Sequence, residues 1–226
     1  MISVQTDFRN RVSEIESYFT FIKQVDLGVT LLIKKDSREP VYTPNDQSDL
    51  IRTFKASSFL LLYNLMESTV NNAIEAIFDE FLEKSISFDS CRKAIRRTIL
   101  DNLKQHNVDK ILPELNNLPI DIVTKTFIKN DIVSGNVDAR KIRGIADEYG
   151  FAHPVTERGG DDLLIVKTSR NDLAHGNKSF SEIGKDYSVD DVILKKDNII
   201  KYLEAMLDSV AEYIRDQKYL STNEIS

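Results

Sequence analysis

Cysteine is nearly absent: Cys91 is the one thiol in 226 residues. A single thiol excludes an intramolecular disulfide framework and a zinc site built on cysteine. Tryptophan is missing, and glycine (8) and proline (5) are scarce, which disfavours a strand-rich fold with many tight turns. Three histidines leave little room for an imidazole metal centre. No apolar run approaches the length of a membrane span, and the N-terminal stretch is charged early, without the apolar segment of a secretory signal. What is present is an ordinary folded composition, 41% apolar and 29% charged. The net charge of −6 argues against broad electrostatic wrapping of nucleic acid. A cytoplasmic, acidic, all-α chain, folded as one domain over residues 1–226, is expected.

Phe8, Val12, Ile15, Phe19, Ile22, Val25, Val29 and Leu32 recur every three or four residues, the stripe of an amphipathic helix over about Thr6–Lys35. Pro40 and Pro44 break it. A second long helix is predicted from Asp46, capped with Asp49, to about Lys84. Its centre, from Phe59 to Tyr63, is apolar in every direction, so that helix is buried on most sides. Asn64, Glu67 and Asn71 draw a narrow polar stripe along it. A buried carboxylate needs a partner, so Glu67 either has one or faces a wet edge.

Shorter helices follow, over about Ser87–Gln105, Val108–Leu115, Ile120–Phe127 and Asp138–Tyr149, the last stopped by Gly150. They form a small helical insertion around 86–160. Arg92, Lys93, Arg96 and Arg97 cluster there, either a solvated face or a phosphate-contacting patch. Arg158–Asp162 reads as a polar loop, with Asp161 or Asp162 capping the helix that follows. Ser179 and Glu182 make a capping box. A final helix runs from after Ser188 to about Tyr219, with Ile199, Leu203, Met206, Val210 and Tyr213 or Ile214 as its stripe.

The chemistry concentrates in Thr168–Gly176. Asn171 and His175 are four apart and share a helical face, as do Lys167 and Asn171. Arg170 and His175 lie about 140° apart on an ideal helix, within reach of a long arginine. Histidine exchanges protons near neutrality, and arginine offers a flat charged fork for phosphate. Asparagine orients a base or a phosphate oxygen. No acidic cluster marks a metal site. Such groups suit attack by an RNA 2′-hydroxyl on its own phosphate without a metal. His106, His153 and Cys91 have no ligand-like neighbours and read as structural or merely exposed. Lys195 and Lys196 read as solvated, with RNA contact as the alternative.

The string RNDLAHGNKSFSEIG resembles the signature of the HEPN superfamily, and within it the RNase-like, MAE-type branch of bacterial conflict and toxin–antitoxin loci. Arg170, Asn171 and His175 match the motif residue by residue. Asn64–Phe81 resembles the branch's central helix, with Glu67 at its acidic position. Ser134–Phe151 resembles its middle segment, and Tyr187–Tyr219 its last helix.

The resemblance implies an all-α helical bundle with long antiparallel helices, which dimerises so that two motif helices build one metal-independent endoribonuclease site. No cofactor is implied. Arg170, Asn171 and His175 would be catalytic. Glu67, with Asn64, would orient Arg170, and Lys167 would add positive charge. Asn177 stands where members silenced by adenylylation carry a tyrosine, so the implied regulator is a protein antitoxin acting by occlusion. Two other readings stand beside it: a non-catalytic nucleotide- or RNA-binding module, and a helical interaction protein.

Overall fold

The computed structural model describes residues 1–28, 44–127, 133, 135–158 and 160–221. Nine α-helices and no strands occur among them: α1 (Ile2–Asp26), α2 (Pro44–Glu83), α3 (Lys93–Gln105), α4 (Val108–Ile111), α5 (Leu118–Lys125), α6 (Ala139–Tyr149), α7 (Asp161–Ala174), α8 (Phe180–Gly184) and α9 (Val189–Arg215).

The organising element is α2, 40 residues long, or roughly 60 Å at the helical rise. Its buried residues include Phe59, Leu62, Tyr63, Leu65, Met66, Val70, Ala73, Ile74, Ile77, Phe78 and Phe81. Helices α1, α5, α7, α8 and α9 all pack against it. An all-round apolar pattern is what a helix in that position requires.

Helix α1 runs antiparallel to α2. Near its start Asn72 donates to Asp7; further along, the Tyr18 hydroxyl donates to the Phe54 carbonyl. The stripe Phe8, Ile15, Phe19, Ile22 and Val25 is buried as its spacing predicts, while Val29 and Leu32 lie outside the described residues. Helix α1 also runs antiparallel to α9, pairing Glu16 with Lys196 and Lys23 with Asp190. The α9 stripe Ile199, Leu203, Met206, Val210 and Tyr213 is buried.

Lysines 195 and 196 are not solvated. Lys196 is 4% exposed and pairs with Glu16 and Asp197. Burial pulls its ammonium down, but the two carboxylates outweigh that and hold it above the ordinary lysine value. Lys195 donates to Asp162. Glu16 and Asp162 lie far off in sequence, so neither pairing was legible from the local pattern.

Helices α3 to α6 occupy the segment expected as an insertion. Helix α5 packs on α2, α3 on α5 and α6, and α6 on α7. Asp138 caps α6 by accepting from the Lys141 amide, and Gly150 ends it in the left-handed region. The capping box of Ser179 with Glu182 forms at α8, and Ser188 with Asp191 makes a second at α9. No helix among the described residues is long and apolar enough to cross a membrane.

Candidate functional site

Helix α7 carries the Arg–His motif, and its two ends are built differently. At the N-terminus Gly160, not Asp161 or Asp162, is the N-cap, with φ +87°. A Cβ there would meet the Ala139 Cβ at 2.6 Å and Tyr202 Cε2 at 2.8 Å. Only glycine therefore fits both the backbone and the space. Asp161 and Asp162 belong to the first helical turn, which is favourable against the helix dipole. Asp162 is 6% exposed and accepts from Lys195 Nζ at 3.1 Å and Asn198 Nδ2 at 2.7 Å. Those bonds clamp α7 onto α9.

One turn before the motif, Lys167 forms a short ion pair with Asp138. Burial pushes the Asp138 carboxyl up, but the Lys167 ammonium and the Lys141 amide outweigh it and hold it below the usual carboxylate range. Lys167 is thereby committed to tying α7 to the cap of α6.

Arg170 is half-buried. Its Nη1 donates to Asn171 Oδ1 at 3.0 Å. Its guanidinium carbon lies 4.6 Å from the centroid of the Tyr63 ring, a cation–π contact worth roughly 1–2 kcal/mol where water is excluded. The Tyr63 side chain is fully buried, and its hydroxyl accepts from the Val137 amide at 3.1 Å. Burial pushes the Tyr63 phenol up, so it stays neutral beneath the arginine. The guanidinium is thus set by a rigid floor and a neighbouring amide, and among the described residues most of its five donors are unspent.

Glu67, one turn along α2 from Tyr63, accepts from the Gly135 amide at 3.0 Å. It makes no ion pair with Arg170. A half-buried carboxylate has found a backbone donor instead, and it pins the 135–137 segment over the site. Asn64 is exposed. Asn71 has a buried Oδ1 without a partner among the described residues. The stripe that faces the motif is therefore Tyr63 and Glu67 rather than Asn64, Glu67 and Asn71. Tyr63 was the residue that sequence reasoning missed. Its signal was available in its position four before Glu67, on one helical face.

His175 is the C-cap of α7 and is exposed. The Asn177 amide bonds to the Asp172 carbonyl at 2.9 Å and the Gly176 amide to Leu173 at 3.2 Å, with Gly176 at φ +70°. That is a Schellman termination, and it fixes the backbone on which His175 is presented. The imidazole has no hydrogen-bond partner among the described residues. The other histidines are occupied: His106 on the Thr126 carbonyl and His153 on Asp147. No group of three His, Cys, Asp or Glu side chains placed to hold a metal ion occurs among the described residues.

Within one chain, then, the structure brings together Arg170, Asn171 and Tyr63. It leaves His175 presented but unaccompanied. A comparison with known families matches residues 3–219 to the MAE_28990-like HEPN family (HEPN_MAE_28990:/-like HEPN). The chain is a HEPN protein. The match spans nearly the whole sequence, so α1 through α9 form the HEPN bundle. No curated protein and no solved structure matches the chain.

Proposed function

We propose that this HEPN protein is a metal-independent endoribonuclease, acting as a toxin or defence effector. The observation that carries the reading is the contrast between Arg170, fixed on the Tyr63 ring with donors to spare, and His175, exposed and unengaged on a rigid cap. A fixed cation suits a phosphorane that gains negative charge. An unengaged imidazole suits proton transfer at neutral pH.

In the reaction the RNA 2′-oxygen bonds to the adjacent phosphorus as it gives up its proton. The bond from phosphorus to the 5′-oxygen then breaks, and that oxygen receives a proton. The products are a 2′,3′-cyclic phosphate and a 5′-hydroxyl. Arg170 stabilises the phosphoryl oxygens, Asn171 holds the guanidinium, and His175 takes or gives a proton. Asn64, Glu67 and Lys167 act at one remove, since Glu67 and Lys167 are engaged by Gly135 and Asp138.

A homodimer completes the site by bringing a second α7 to face the first, giving one imidazole for each proton transfer. Leu164, Phe180 and Leu194 are exposed apolar side chains on α7, α8 and α9, surface that such a pairing would cover. A protein antitoxin would silence the toxin by occluding the same face.

A second reading, RNA or nucleotide binding without catalysis, draws on the lack of any hydrogen-bond partner for the His175 imidazole among the described residues. Cleavage of total RNA in EDTA by the wild type and by His175→Ala separates the two. Wild-type cleavage that His175→Ala loses is expected. Equal cleavage by both overturns the catalytic role of His175, and loss of wild-type cleavage in EDTA overturns the metal-free chemistry. Growth arrest on expression, relieved by His175→Ala, is the matching expectation in cells.

A further inference from the structure

The basic cluster on α3 does not lie beside the motif. It lines a pocket of about 850 Å³ at the opposite end of the bundle, walled by Arg92, Lys93, Arg96, Asp216, Lys218 and Leu220 among others. The location follows from α2. Arg170 sits over Tyr63, whereas Tyr219, between two of the wall residues, packs against Phe81 with ring centroids 4.9 Å apart. Those two α2 positions are separated by about 27 Å along the helix axis.

The charges in the pocket are unbalanced. Arg92, Lys93 and Arg96 have no carboxylate partner among the described residues. Asp216 is held by Arg215 at 2.8 Å and lies 3.6 Å from Lys218, which also pairs with Glu212. Three cations are therefore left over, in a chain whose net charge is −6.

They stand at the wrong end of their helix. Arg92 is the N-cap of α3, contributes no side-chain cap, and is followed by a first turn without an acid. Cations there oppose the helix dipole, and the same place favours an anion. Among the described residues Arg92 spends only Nη1, on the carbonyls of Gly150 at 3.3 Å and Lys218 at 3.5 Å. Arg96 Nε has no hydrogen-bond partner among the described residues, so no acceptor there commits that guanidinium.

We propose that this pocket is a second RNA contact, taking backbone phosphates of a single strand whose scissile bond lies at Arg170 and His175. The choice of RNA as the source of the phosphates rests on the ribonuclease reading. The choice of backbone over base rests on the wall, which offers guanidinium and ammonium groups and no aromatic ring to stack on. The pocket is also far larger than one phosphate and open to a passing strand.

The test is RNA binding by fluorescence anisotropy, with the full chain carrying His175→Ala so that nothing is cut during titration. The ligand is a labelled single strand long enough to span both sites, titrated across a range of salt. Adding Lys93→Gln and Arg96→Gln is expected to weaken binding about ten-fold at low salt. The slope of log affinity against log salt should fall by about 1.4, the release expected for two phosphates on a single strand. The charge-retaining pair Lys93→Arg and Arg96→Lys should restore both values. The exposed Lys93→Gln alone should remove about half of the slope change, which guards against a folding defect from Arg96.

Unchanged affinity and slope overturn the proposal. So does binding of pyrophosphate or a phosphorylated peptide at this pocket that long RNA fails to displace, and so does absence of RNA binding by the parent chain. Failure of the ribonuclease reading looks different: the wild type cuts nothing, yet the pocket variants still lose RNA affinity.

Discussion

The two ends of α7 share one helix and have opposite designs. At the N-terminal end the buried and half-buried charged groups are spent: Asp162 on Lys195 and Asn198, Lys167 on Asp138. At the C-terminal end Arg170 touches a neutral ring and one amide, and the His175 imidazole has no hydrogen-bond partner among the described residues. A helix anchored at one end can present reactive groups at the other without their helping to hold the fold. Saturated polar groups stabilise, unsaturated ones remain available for chemistry, and separating them lets each be optimised alone.

That contrast breaks most sharply at His175. His175→Ala should lower RNA cleavage by about 10²–10⁴-fold, the range for losing one proton-transfer group. Its unfolding midpoint should match the wild type, because the side chain is exposed and unpartnered. A large loss of stability would erase the distinction between the two ends.

Asp162→Ala is the converse. Leaving Lys195 and Asn198 without their shared acceptor should cost about 3–5 kcal/mol, as for a broken buried pair. Urea unfolding measures it, and a cost below about 1 kcal/mol, the value of an exposed pair, would mean that the N-terminal clamp is not what holds α7.

Gly176→Ala should cost about 1–2 kcal/mol, the strain of a side chain in the left-handed region, since no atom lies within 4 Å of the added Cβ. Activity should fall further than stability, because the Schellman turn aims His175. Equal losses would make Gly176 a purely structural stop.

The smallest expected effect is in the acid range. The folded Asp138 carboxyl is held below its ordinary value. Its contribution is therefore present above the unfolded carboxylate value, about 4, and is lost as pH falls through the lower folded value. Asp138→Asn should flatten that part of the stability curve. An unchanged acid limb would show that the Lys167 tether adds nothing.

Much of the scaffold was legible because it is local. Stripes in α1 and α9, the capping box at Ser179, and the stop at Gly150 all depend on neighbours within a few residues. The Arg170–His175 spacing is equally local, and the two residues lie in the last turn and at the C-cap of α7.

What sequence could not show was partner choice across the fold. Glu67 had a plausible cation in Arg170 and took the Gly135 amide instead. Lys195 and Lys196 looked solvated, yet they meet Asp162 and Glu16 at sequence separations of 33 and 180. Tyr63 looked like one more core residue, and only tertiary packing sets its ring under a guanidinium. The net charge of −6 still argues against broad wrapping of nucleic acid, and three uncompensated cations in one pocket are compatible with it.

The central claim, that the RNA's own 2′-hydroxyl is the nucleophile in a site made by Arg170 and His175, is tested most directly by the end groups of RNA cut by the purified chain. Cleavage should leave 2′,3′-cyclic phosphates and 5′-hydroxyls, and His175→Ala should produce none of these ends. Fragments carrying 5′-phosphates and 3′-hydroxyls would contradict it, since they require water rather than the ribose as the attacking group.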